Sequence, residues 1–388
     1  MYIDFKTCPK IDIIMLEILK FNKMIKNLEI LPDKIKILFS DKTEDSFLNI
    51  WLRDHAKDAE SWDMRSNQRK IFTAKLDPKL HIKNAEIKDN GNSIDILWSD
   101  LSNAINYSSQ FFLDNLSKKK SKKQNLITWT NKDLDQTIYV NFDEAISNDG
   151  FKSFIKKLYK YGFVVIQNCK TEISSVEKIA KKIGYVRESI FGGLWSFESD
   201  QDKADSAYTE DELRPHTDST YSNDAPGLQL LLCSHYKASG GESIMVDGFK
   251  IAEKIKSEKK DVYDFLTNME VTGQYIGDGV SLQATRPILR LNSDKELIQV
   301  SFNNYDRAIF KMSEDKTKKF YEAIREFDLL ANNKRYQWRR ILKPGELLIF
   351  NNWRILHGRG SFSGDRKMSG CYINKEDFDS SCRIHNVI

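Results

Sequence analysis

The stretch LLIFNNWRILHGRGSFSGDRKMSGCYI, residues 347–373, decides the fold. It opens on a continuous apolar run (347–350) and closes on another (368–373), each short enough to be a strand buried on both faces. Between them lie His357, Arg354, Arg359 and Arg366, with Gly358, Gly360 and Gly364 as turn signals. The same grammar recurs outward from there. Residues 228–233, 243–246, 288–291 and 297–302 read as further short strands, and two helices, about 249–269 and 313–330, interrupt them. Upstream, 151–161 and 173–183 carry apolar residues at helical spacing and stop at Gly162 and Gly184, with the strand-like FVVI (163–166) between them. Many short strands separated by turns, with a few helices, predict a mainly β sandwich or barrel with helices packed outside.

A seam precedes this region. KKKSKK at 118–123 is a like-charge run that repels itself and reads as a solvated linker. We therefore expect a first domain at 1–117, a basic linker at 118–124 and a second domain at 125–388. In the first, residues 34–39, 47–52 and 94–98 are strand-like, with Asn90-Gly91-Asn92 as a turn, which fits a small β-rich domain. Residues before about 30 alternate Ile, Leu and Met with Lys at roughly helical spacing and predict a helix packed on that domain.

Composition narrows the function classes. Among 388 residues, 60 basic and 56 acidic side chains leave a net charge of +4, which gives no electrostatic case for a nucleic-acid or membrane partner. No run of about 18 apolar residues occurs, which excludes a transmembrane helix. The 5 Cys are scattered with no CxxC pair and read as reduced thiols. With no signal-peptide or Arg-rich transit profile, a cytoplasmic protein is expected.

Of the 6 His, none falls into HExxH or close zinc-finger spacing. One constellation remains. His216-Thr217-Asp218 would put two donor side chains on one face of an extended strand, and His357 follows a strand-like run much later in the chain. Two imidazoles and one carboxylate form the facial triad that holds ferrous iron and leaves coordination positions open for a co-substrate and dioxygen. An isolated HxD is common by chance, so the case needs its surroundings. Arg366 lies nine residues after His357, and its guanidinium fork suits the carboxylate of an α-keto acid; Arg354 and Arg359 compete for that role. Phe191, Trp195, Tyr208 and Tyr372 are core aromatics by default, but facing a metal they would form a box for a quaternary ammonium. Asp205, beside Asp200 and Asp202, reads on its own as a solvated carboxylate.

Taken together, FGGLWSFESDQDKADSAYTEDELRPHTDSTYSNDAPG (191–227), GGESIMVDGF (240–249), NNYDRA (303–308) and residues 351–373 resemble the gamma-butyrobetaine and trimethyllysine dioxygenase family, in order along the chain. The resemblance implies a double-stranded β-helix (jelly-roll, cupin-like) catalytic domain. It also implies iron(II) on His216, Asp218 and His357, and 2-oxoglutarate on Arg366 with help from Ser243. Phe191, Trp195, Tyr208 and Tyr372 would form a trimethylammonium cage, and Asp205 and Asn303 would hold the amino-acid end of the substrate. The implied reaction consumes O2 and hydroxylates trimethyl-lysine, or gamma-butyrobetaine or another betaine on the same scaffold. An acidic residue at Asp205 favours the branch whose substrate bears an α-amine. A non-catalytic trimethylammonium binder is the distant alternative. A need for ascorbate and assembly as a homodimer stay open.

One departure stands out. WLRDH (51–55) and LWSD (97–100) match the family's first domain, whose structural zinc the resemblance places on three Cys and one His. Here Ala56, Ser61 and Ser102 occupy expected ligand positions, and no Cys lies between Cys8 and Cys169. No structural zinc is expected, and apolar packing alone should hold that domain.

Overall fold

KIKILF, the strand Lys34–Phe39, buries every second residue: Ile35, Ile37 and Phe39 are fully enclosed. It pairs antiparallel with Ile25–Ile30 on one side and Glu44–Leu48 on the other. A second three-stranded sheet, Ile82–Lys88, Ser93–Trp98 and Ile105–Ser108, turns at Asn90 (φ 54°) and Gly91 (φ 90°) and adds Ile94, Ile96 and Trp98 to the same core. The computed structural model describes residues 23–117, 126–198 and 210–388. The chain divides into two units, 1–123 and 124–388. Two expectations for the first unit are corrected. Residues 25–30 form a strand, because register pairing such as Ile25 with Phe39 overrides a weak helical period; residues 1–22 lie outside the described residues. The strand expected over 47–52 ends at Leu48, and Asn49–Asp54 is a helix that brings Trp51 within 5.9 Å of Phe47.

In the second unit, FVVI is buried throughout because both faces of its strand, Phe163–Gln167, are covered. Val164 and Ile166 face a layer of helices formed by Asn148–Tyr161, Ile173–Ile183 and Lys375–Ile384, while Phe163 and Val165 face inward. The strand Leu347–Asn351 repeats the rule, with Leu347 and Ile349 outward and Leu348 and Phe350 inward. These strands belong to a seven-stranded sheet whose centre is the long pair Leu228–Gly240 and Phe362–Ile373. A four-stranded sheet faces it, in the order Leu213–His216, Ile355–Arg359, Ser243–Asp247, Gln337–Arg340. Its outer residues Ile244 and Val246 pack under the helices Gly248–Glu258, Lys260–Asn268 and Glu314–Ala331. Two facing sheets of this kind form the expected jelly roll, a double-stranded β-helix.

The single helix expected at 249–269 is two, broken at Lys259 (φ −140°, ψ 70°). A hairpin, Glu270–Gly277 with Val280–Pro287, was not anticipated. It turns at Asp278-Gly279, both at positive φ, a dipeptide that signals such a turn. Among the described residues, no helix is long and apolar enough to cross a membrane.

Candidate active site

His216 and His357 are direct cross-strand partners in the four-stranded sheet, so residues far apart in sequence lie with ring centroids 4.4 Å apart. The expected strand placement of Asp218 is corrected: the strand ends at His216, and Asp218 stands just past it, before Ser219 at φ 55°. Tertiary contacts hold this turn. Thr217 exchanges hydrogen bonds with Phe302, through its N–H (2.8 Å to the carbonyl) and its Oγ1 (2.9 Å from the amide). Asn352, 1% exposed, brackets Asp218, its Oδ1 accepting from the amide (2.8 Å) and its Nδ2 donating to the carbonyl (3.1 Å).

Asp218 Oδ1 is thereby 3.4 Å from Nε2 of both His216 and His357. These three residues form the only such group of potential metal ligands among the described residues. His216 Nδ1 donates to the Arg214 carbonyl (2.8 Å), which fixes the tautomer and leaves Nε2 for a metal. The Tyr372 hydroxyl donates to Asp218 Oδ2 (2.8 Å), so one carboxylate oxygen is taken and the other points at the imidazoles. Burial opposes charge on Asp218, but His357, His216 and the Tyr372 hydroxyl outweigh it and hold the carboxyl well below the usual range. Burial pushes the imidazole of His357 down to about 4, with His216 adding to the effect of burial and Asp218 opposing it. Two imidazole nitrogens and an ionised carboxylate converging on one point are the donor set of an iron(II) site, so the residues present fit that ion.

A cavity of about 110 Å³ opens beside the triad. Strand alternation builds its wall from pairs two apart: Gln229 and Leu231, Ser243 and Met245, His357 and Arg359, Arg366 and Met368. The structure also separates the three competing arginines. Arg354, 1% exposed, is spent on Asp247 through two bonds (3.1 and 2.7 Å) and on the carbonyls of Lys160 and Ile127. Arg359 lines the cavity but donates to the Asp211 carbonyl (2.8 Å). Arg366 lies over the Phe362 ring (5.6 Å), burial lowers its pKa, and no carboxylate pairs with it among the described residues. A half-buried guanidinium with no carboxylate partner among the described residues, lining a largely apolar cavity, has the chemistry to accept an anion.

A second cavity that reaches the triad, about 100 Å³, is lined by Phe191, Phe197, Tyr372, Asn303 and Asp306 with His216, Asp218 and His357. Phe197 meets Phe191 edge-on (5.7 Å) and Trp195 at 4.5 Å, and Trp195 lies 5.7 Å from Tyr372. Gly370 permits this packing, because a Cβ there would overlap the Trp195 indole. Asp205 and Tyr208 lie outside the described residues. Sequence reasoning missed Phe197, Gln229, Asn352 and Asp306. The alternation of 195 with 197 could have found Phe197; nothing local distinguishes the others.

The corner of the first unit where zinc would be expected is different. Arg53, 2% exposed, donates to Asp100 Oδ2 (3.0 Å) and to Ser61 Oγ (2.7 Å). His55 is tied to the Trp51 carbonyl (2.7 Å) and stacked on its ring (4.3 Å). A guanidinium already fills the role of a cation, so the residues present do not fit zinc. The expectation that apolar packing alone holds this unit is corrected, since Arg53 cross-links it.

Comparison with known proteins adds family context. The profile described as "Taurine catabolism dioxygenase TauD, TfdA family" matches residues 130–372, and "Gamma-butyrobetaine hydroxylase-like, N-terminal" matches 28–112. A trimethyllysine dioxygenase of Meyerozyma guilliermondii is 29% identical, covering 92% of this chain and 94% of its own. The mitochondrial trimethyllysine dioxygenase of Homo sapiens is 30% identical, covering 86% of this chain and 82% of its own. A gamma-butyrobetaine dioxygenase of Pongo abelii is 26% identical over 90% of this chain and 94% of its own. A solved alpha-ketoglutarate-dependent taurine dioxygenase-like protein from Burkholderia xenovorans aligns with TM-score 0.50 at 12% identity, covering 64% of this chain and 91% of its own, a likeness of fold.

Proposed function

The chain belongs to the taurine catabolism dioxygenase TauD, TfdA family, and from that membership we propose that it hydroxylates N6,N6,N6-trimethyl-L-lysine at carbon 3, the opening step of carnitine synthesis. The observation that carries this reading is the convergence of two imidazole nitrogens on one carboxylate oxygen, each at 3.4 Å, between an arginine-ended cavity and an aromatic one. Iron(II) held by His216, Asp218 and His357, with 2-oxoglutarate and dioxygen, would supply the oxidising power to place one oxygen atom on an unactivated C–H bond, with succinate and carbon dioxide as co-products.

The chain's own share is positioning. The bond from His216 to Arg214 and the bond from Tyr372 to Asp218 aim the ligand atoms. Arg366 takes the far carboxylate of 2-oxoglutarate, with the Ser243 hydroxyl on the same wall. Phe191 and Tyr372, with Trp195 packed against Tyr372 and joined by Tyr208, hold the trimethylammonium by cation–π attraction. Asp205 and Asn303 hold the amino-acid end. The first unit carries Arg53 in place of a zinc ion. The described cysteines are free and buried, which fits a reducing compartment such as the cytoplasm.

Mass spectrometry of trimethyl-lysine incubated with the enzyme, iron(II) and 2-oxoglutarate tests the reading; a gain of one oxygen atom is expected. A gain with gamma-butyrobetaine alone sinks the substrate, and no gain with either sinks the reaction.

A further inference from the structure

Gln229 is 5% exposed, yet its Oε1 has no hydrogen-bond partner among the described residues. Strand alternation explains where it points. On Leu228–Gly240, Leu228, Leu230 and Leu232 pack into the core under the helix layer, which turns Gln229 and Leu231 to the cavity side. The cross-strand neighbours of Gln229 are Phe350 and Tyr372. Burying an amide without a partner opposes folding, and a leucine would fill such a place without that penalty. The fold therefore gives no reason for a glutamine here, and the site does.

Gln229 lines both the cavity that holds Arg366 and the one that holds Phe191 and Tyr372, and His216 and His357 line both with it. It thus stands at the metal side of the arginine cavity. Arg366 stands at the other end. On the strand Phe362–Ile373, the residue opposite Gln229 is Tyr372, six positions beyond Arg366. Six residues of strand span about 20 Å, so the two side chains meet opposite ends of whatever fills the space between them. With one carboxylate of a 2-oxo diacid on Arg366, the other lies at the metal, where the amide is. A quaternary ammonium offers an amide neither a donor nor an acceptor, whereas a carboxylate accepts from its NH2 group.

We infer that Gln229 donates from its Nε2 to the metal-side carboxylate of 2-oxoglutarate and, with Arg366, fixes the co-substrate at both ends. The inference rests on the co-substrate reading above.

Anaerobic titration of the iron(II)-loaded full chain with 2-oxoglutarate, followed by its weak visible band, tests it. Gln229→Leu is expected to raise the dissociation constant by about 10-fold, the scale of one hydrogen bond to a charged group. It should also shift the band maximum, because the lost hydrogen bond alters the chelating end of the oxo acid. The melting temperature without ligands should not fall, since an unpartnered amide is exchanged for an apolar side chain. Gln229→Met, nearer in length, is the second variant should the first fold poorly. An unchanged dissociation constant in both variants overturns the assignment while the co-substrate reading stands. Weakened binding with the band maximum in place moves the contact to the far carboxylate, and a lowered melting temperature in both variants makes Gln229 a packing residue; either result overturns the assignment. A wild type that gives no band with 2-oxoglutarate overturns the co-substrate reading itself.

Discussion

In the second unit, two imidazole nitrogens converge on one carboxylate oxygen, each 3.4 Å from it. In the first unit, a carboxylate and a hydroxyl of similar chemistry point at Arg53, a cation that the chain itself provides. Burial of polar groups is therefore solved in two ways. One corner leaves its donors convergent and needs a cation from solution; the other is complete as folded. Convergent imidazole and carboxylate lone pairs mark a place for chemistry, whereas a corner closed by its own guanidinium supplies cross-linking.

The comparison can be broken at three points. The largest effect belongs to the open corner: Asp218→Ala should reduce trimethyl-lysine turnover to background and abolish the weak visible band of the iron(II)–oxoglutarate complex. A variant retaining that band would show that the metal does not depend on this carboxylate. Next comes Tyr372→Phe, which frees Asp218 Oδ2 while keeping the ring for packing. Iron affinity should fall by about 10- to 100-fold, the usual scale for a partner of a metal ligand, as measured by metal-dependent quenching of intrinsic fluorescence; unchanged affinity would leave Tyr372 with a role in packing alone. Smallest for catalysis is the closed corner. Arg53→Met should lower folding stability by about 1–3 kcal/mol through the partners left at Ser61 and Asp100, read by denaturant titration, with iron affinity unmoved. Metal analysis of purified wild type should find iron without stoichiometric zinc; zinc that survives chelation would mean that the first unit is not closed by Arg53.

How far the sequence could be read follows the range of the interactions involved. FVVI at 163–166 and LLIF at 347–350 declared doubly covered strands, because covering both faces leaves a run without alternation. His216, Asp218 and His357 were nameable from spacing and resemblance, and the structure brings them together. The same text could not choose among Arg354, Arg359 and Arg366. All three are arginines near one histidine, and the choice depends on Asp247, which binds Arg354 from another strand. Nor could it separate the helix at Asn49–Asp54 from a strand, since apolar residues at 47, 48, 50, 51 and 52 fit either period poorly.

The sequence alone settled which side-chain types exist to bind a metal, an anion and a quaternary ammonium, along with the alternation that makes two sheets. Those properties are written residue by residue. The tertiary structure decided which arginine has no carboxylate partner among the described residues, that Tyr372 restrains Asp218, that Asn352 brackets the ligand turn, and that Asp306 reaches the cavity beside Thr220 and Asn303. Each of these depends on a partner dozens of residues away or on a turn beyond the strand end, and hydrogen bonds of that kind are fixed only when the sheets close.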